Sequence, residues 1–123
     1  MDKRIDLAIK KAYESLEVAK LLFDKGYYSD SISRSHYATF HASKALLFKK
    51  GVDSKKHSGN IQNFGLEYVV KDDFDNEKAE ILSNLEDDRE NVDYDFSFKA
   101  TKEQAEQDLN DAKAFIDECE RFL

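Results

Sequence analysis

The stretch DSISRSHYATFHASKALL (Asp30–Leu47) decides how the rest of the chain is read. Its small residues Ser31, Ser35, Ala38, Ala42 and Ala45 recur every three or four positions, the period of one helical face. Such a stripe lets a second helix approach closely. Arg34, Tyr37, His41 and Lys44 share a different, polar-aromatic face. His36 falls with Ile32 and Phe40 on another side. Upstream, Ile5, Ala8, Ile9, Ala12, Leu16, Ala19 and Phe23 follow the same period and predict a helix over Lys3–Asp24. Gly26 suits its C-terminal cap. The second helix is expected from Tyr28 to just before Gly51, packed on the first as an antiparallel hairpin.

Downstream, GVDSKKHSG reads as a loop. A short helix over Asn60–Val70 carries Ile61, Phe64 and Tyr68 on one face. KDDFD breaks the chain before a fourth helix over Asn76–Asn91, with Ala79, Leu82 and Leu85. DYDFSFKA lacks a helical pattern and is expected to be an ordered loop pinned by Phe96 and Phe98. Thr101 and Gln104 then form a capping-box pattern. The last helix follows, with Ala105, Leu109, Ala112, Ile116, Cys119 and Leu123 as its core seam. These elements predict one all-α domain over residues 1–123, an up-and-down bundle of four to five helices.

Composition agrees: 41% of residues are hydrophobic, 37% are charged, and there is no proline to interrupt long helices. A single cysteine excludes an internal disulfide and a cysteine-clustered zinc site, and it fits a reducing compartment. The opening MDKRIDLAIKKAYE has no apolar signal core, and no apolar run approaches the roughly 20 residues of a membrane span. A cytoplasmic protein with no membrane partner is expected. The net charge of −7 argues against a broad nucleic-acid surface and leaves room for a local basic pocket. Acid is concentrated from Lys71 to Asp95 and basic residues lie mainly before Lys56, so pairing with a second copy or an oppositely charged partner is expected.

Metal and cofactor signatures are lacking: His36 and His41 are poorly spaced for chelation, and H-E-x-x-H and Gly-rich phosphate loops are absent. No metal or cofactor is expected. Arg34, Tyr37 and His41 form either a functional wall or a helix face whose cations lie over aromatic surface. His57 or Ser58 caps the short helix, or His57 with Lys55 or Lys56 receives a phosphate there. Arg89, four after Leu85 and three before Val92, points partly inward and needs partners, with Glu86, Asp93 and Asp95 at hand. Either this is a helix-to-loop clamp or it is a site. Cys119, on the core seam, reads as an inert buried thiol.

Four stretches, in order, carry a resemblance: YYSDSISRSHYATFHASKALLFKKG, KKHSGNIQNFGLEYV, RENVDYD and EQAEQDLNDAKAFI. Together they resemble the HEPN family, and within it the small stand-alone prokaryotic UPF0332 group. The hallmark R-x-Y-Y-A-x-F-H-A stretch corresponds to Arg34–Ala42, with His36 in place of the first tyrosine. The resemblance implies a dimeric helical bundle, association with a minimal nucleotidyltransferase, toxin–antitoxin modules, and metal-independent RNA cleavage in some members. Those ribonucleases carry Arg-x4–6-His late in the chain. Here the fifth residue after Arg89 is Tyr94, and Phe96 stands where related toxins place a tyrosine. Arg34 and His41 fit the spacing but lie on the second helix, in the family's structural stretch.

The expectation is therefore a non-catalytic or weakly catalytic HEPN protein, homodimeric and partnered by a nucleotidyltransferase. Arg89, Asp93 and Tyr94 would form a nucleotide or RNA-phosphate pocket, with Arg34, Tyr37 and His41 as a second wall and His57 as a further candidate. One alternative is a metal-independent ribonuclease using Arg89 with His41 or His57 as base. The other is a structural adaptor in which Arg89 only clamps a loop.

Overall fold

The computed structural model describes residues 2–53 and 57–123, with the side chains of His57 and Ser58 outside that description. It contains α1 (Lys3–Asp24), α2 (Tyr28–Lys49), α3 (His57–Phe64), a π-helical segment (Gly65–Val70), α4 (Asn76–Tyr94) and α5 (Lys102–Glu120). The described residues form an all-α bundle without strands.

The Asp2 carboxylate caps α1 by accepting the Arg4 N–H at 2.9 Å. At the other end Gly26 takes φ +85°, the left-handed conformation that closes the α1–α2 turn. The Tyr27 N–H reaches back to the Leu22 carbonyl at 2.9 Å.

Helix α2 is the centre of the bundle and touches α1, α3, α4 and α5. All five residues of its small-side-chain stripe are buried. Ser31 Oγ donates across to the Ala19 carbonyl of α1 at 2.8 Å, so a buried hydroxyl bonds the two backbones where they approach. Asn60 Nδ2 donates to Ser43 Oγ at 2.7 Å and ties α3 to α2. His36 is fully buried with Ile32, on the side of α2 that the period assigned to it.

The core closes on aromatic rings. Phe64 and Phe74 meet edge to face at 4.9 Å, and Phe74 also packs on Phe115 at 5.6 Å and Phe122 at 5.4 Å. The Tyr68 hydroxyl donates to the Leu46 carbonyl of α2, which fixes the π-helical segment to the central helix. Burial pushes the Tyr68 phenol well above its usual range.

Three expectations need correction. Helix α4 does not stop at Asn91 but runs to Tyr94, so Asp93 and Tyr94 are helical. The apolar pattern fades there, and Arg89 pairs with Glu86 and Asp93 extend the helix instead. It ends where Asp95 turns extended and its carboxylate takes the Ser97 N–H at 3.0 Å and Oγ at 2.6 Å. Phe96 does not pin the following loop, because that turn throws it fully into solvent, whereas Phe98 is half-buried. Leu123 leaves the core seam because α5 ends at Glu120, and Phe122 packs in its place.

A buried aspartate of α5, Asp108, faces a half-buried one of α4, Asp88. Asp108 is 4% exposed, and burial, with the acidic Asp88 and Asp111 close by, pushes its carboxyl up to about 8. An unfolded aspartate titrates near 3.9. The folded state therefore holds a proton that the unfolded chain releases, and stability falls as pH rises between about 4 and about 8. An asparagine at this position keeps a donor towards Asp88 at every pH. Urea unfolding of Asp108→Asn should lose this part of the pH slope and leave the variant more stable than the parent near pH 8. An unchanged slope would mean that Asp108 is ionised in the folded state.

Candidate functional site

Arg89 lies on the inward side of α4, only 8% exposed. A guanidinium so placed must be neutralised and hydrogen-bonded. Its Nη1 donates to Asp93 Oδ2 at 3.0 Å and its Nη2 to Glu86 Oε1 at 3.4 Å. Both carboxylates come from neighbouring turns of the same helix. The Nε is buried without a hydrogen-bond partner among the described residues. Burial opposes the Arg89 charge. The Asp93 hydrogen bond, the nearby Tyr37 and the contributions of Tyr94 and Glu86 outweigh it, and the pKa rises.

Tyr37 belongs to α2, so the two helices converge on Arg89. Their junction opens into a cleft of about 460 Å³. Helix α2 lines it with Asp30, Ser33, Arg34 and Tyr37, α4 with Asp93, and α1 with Val18 and Leu22. Ser33 Oγ stands 3.4 Å from Asp93 Oδ1, a long contact across the junction. Asp93 thus faces Arg89 with one oxygen and the cleft with the other. Arg34 is exposed at this wall.

The cleft unites Arg34, Tyr37 and Asp93, and Asp93 links them to Arg89. Tyr94, 74% exposed on the last turn of α4, lies near enough to Arg89 to favour its charge. His41 stands apart. Its ring stacks on Tyr37 at 6.2 Å, but it lines a separate groove with Arg4, Lys11, Lys44 and Phe48. There Lys44 lies over the Phe48 ring at 5.0 Å, the cation-on-aromatic arrangement that sequence offered as the structural alternative for this face. The His57 side chain, and the caps or phosphate contacts expected of His57, Ser58, Lys55 and Lys56, lie outside the described residues.

Sequence reading missed Asp30 and Ser33 in the cleft, and the α1 residues Val18 and Leu22. Ser33 and Arg34 flank the buried stripe, and helical spacing from Tyr37 would have pointed to both Asp30 and Ser33. The α1 wall depends on helix packing and has no local signal. Cys119 is fully buried, and burial with Glu118 and Glu120 nearby pushes its thiol well up, so it supplies no nucleophile here. Among the described residues, no three His, Cys, Asp or Glu side chains converge as metal ligands.

Known proteins resemble the chain over almost its whole length. The HEPN domain model matches residues 5–122. The chain belongs to the HEPN domain family. Among its relatives, "Putative toxin MJ0605" of Methanocaldococcus jannaschii is 36% identical over 98% of this chain and 90% of its own length. A second protein of that organism, "Putative toxin MJ0142", is 31% identical over 98% of this chain and 82% of its own. A "UPF0332 protein" of Archaeoglobus fulgidus is 33% identical over 97% and 94% respectively. The UPF0332 resemblance therefore stands beside the HEPN match.

The Arg89 network makes a stability prediction. Arg89→Ala removes the buried cation that pairs with Glu86 and Asp93, which should cost about 3 kcal/mol in urea unfolding. Arg89→Lys keeps the charge and loses the fork, and should fall between the two. A loss below about 0.5 kcal/mol would mean that Glu86 and Asp93 are solvated without Arg89.

Proposed function

We propose that this HEPN protein is a non-catalytic or weakly catalytic component of a toxin–antitoxin-type module. It acts in the cytoplasm as a homodimer of single-domain chains and partners a minimal nucleotidyltransferase. The toxin names of its relatives and the family resemblance support the module. The Arg34–Tyr37–Asp93 cleft, linked through Asp93 to Arg89 and with Tyr94 next along α4, takes a nucleotide or RNA phosphate.

The observation that carries the weak-catalysis reading is the pairing of Arg89. Its two carboxylates occupy the donors that would meet phosphate charge, and among the described residues no histidine lines the cleft. A general base for RNA cleavage needs a pKa near the working pH. At the fifth position after Arg89 the chain offers Tyr94 in place of a histidine. Arg34, exposed at the cleft wall, is the cation through which a phosphate first engages.

A ribonuclease reading keeps one specific support. The His41 ring stacks on Tyr37, and Tyr37 reaches Arg89's surroundings, so a base stands one side chain away from the cleft.

The test incubates purified protein with mixed cellular RNA in EDTA, beside Arg34→Ala and Arg89→Ala. The expected result is no cleavage by any of them. Anisotropy of a labelled RNA oligonucleotide should show binding weakened about ten-fold by Arg34→Ala, the loss of one charge-assisted hydrogen bond. Cleavage that disappears in a folded Arg89→Ala protein would replace this reading with the ribonuclease. Sedimentation should give twice the chain mass at micromolar concentration, and a monomer there would remove the homodimer.

A further inference from the structure

At the opposite end of α4 from Arg89, a second surface has the properties of a protein-docking groove. Ala79 and Arg89 are ten positions apart on the helix, about 15 Å along the axis. A groove of about 300 Å³ runs between the π-helical segment and the first half of α4. Ile61, Val69 and Val70 form one wall, Ala79 and Leu82 the other. Val70 is 75% exposed and Leu66, one turn earlier, 49% exposed. Apolar side chains this open, next to an apolar groove, mark a surface suited to a partner.

The local charge chooses the partner. From Glu67 to Glu80 the chain carries six acidic residues (Glu67, Asp72, Asp73, Asp75, Glu77, Glu80) and two lysines. Lys71 is already paired with Glu67 at 3.1 Å. Glu80 itself lines the groove. A field of this sign repels nucleic acid and attracts cationic peptide. The wall is also rigid: Tyr68, within the π-helical segment, is 1% exposed and hydrogen-bonded to the Leu46 carbonyl. π-Helical turns often mark functional positions, and this one aims Val69 and Val70 at α4.

We propose that this groove docks a basic amphipathic helix of a partner protein. The apolar stripe of that helix lies on Val70, Ile61 and Ala79, and its lysines or arginines reach Glu80 and the neighbouring acids.

Gly65 provides a clean test. It lines the groove at the start of the π-helical segment, and a Cβ added there meets nothing within 4 Å. Gly65→Leu therefore adds bulk at the groove from a Cβ that stands in open space, and replacing glycine reduces unfolded-chain entropy. The probe is a labelled peptide of about 15 residues, with leucines at helical positions one, five and eight and lysines on the flanks. A second peptide carries glutamates in place of the lysines. Anisotropy titrations use the full chain, with circular dichroism confirming each variant's fold.

The lysine peptide should bind at least about ten-fold tighter than the glutamate peptide. Gly65→Leu and Glu80→Lys should each weaken it about five-fold or more. Equal binding of the two peptides, or no binding of the lysine peptide, would overturn the proposal. So would unchanged binding to Gly65→Leu, which would mean adsorption on the acidic surface without entry to the groove. Self-association of the parent that Gly65→Leu abolishes would make the occupant a second copy of this chain and overturn the assignment to a partner.

Discussion

The close approach of α1 to α2 is the constraint on which the other arrangements depend. Serines and alanines on the inner stripe of α2 allow it, and the Ser31–Ala19 hydrogen bond satisfies a hydroxyl that the approach buries. With one side of α2 filled so closely, its other sides must receive α3, α4 and α5. The polar residues left over are then set by rotation about one axis. Arg34 and Tyr37 emerge beside the end of α4, and His41 emerges one turn further on, over a different groove. The site is thus a consequence of how the central helix is packed.

Much of this was legible in the chain because helical periodicity is a local signal. The limits of α1 and α2 follow from apolar spacing and from glycines beyond their ends. The start of α5 follows from Thr101, whose hydroxyl accepts the Gln104 N–H at 3.1 Å. The inward turn of Arg89 could also be read from its distance to Leu85 and Val92. The end of α4 could not be read in this way, because charged pairs at the same helical spacing hold it there. An apolar pattern is blind to them and leaves Asp93 and Tyr94 outside the helix. Phe96 shows the converse: its size and apolarity point to the core, but the Asp95–Ser97 turn fixes its direction outward.

The candidate site was legible only as separate parts. That Arg34 and Arg89 share a neighbourhood depends on the crossing of α2 with α4, which no local pattern encodes. The same crossing separates His41 from the cleft, although it shares a helix face with Tyr37. Helix α4 also divides the molecule's chemistry. Its C-terminal turns present an arginine whose charge is met by carboxylates, and its N-terminal turns present apolar surface within acid. These ends have different electrostatic character and are served by different neighbours, α2 at one and the π-helical segment at the other.

The burial of Cys119 has a consequence for how the bundle's motions can be followed. The chain has one thiol, and it is sealed between α5 and the aromatic core in its unreactive, protonated form. An alkylating reagent can reach it only during excursions in which α5 lifts from α2. The rate of labelling is then a clock for that opening, read without any introduced probe. Ligands that clasp α5 to the body would slow the clock, and those indifferent to α5 would leave it unchanged.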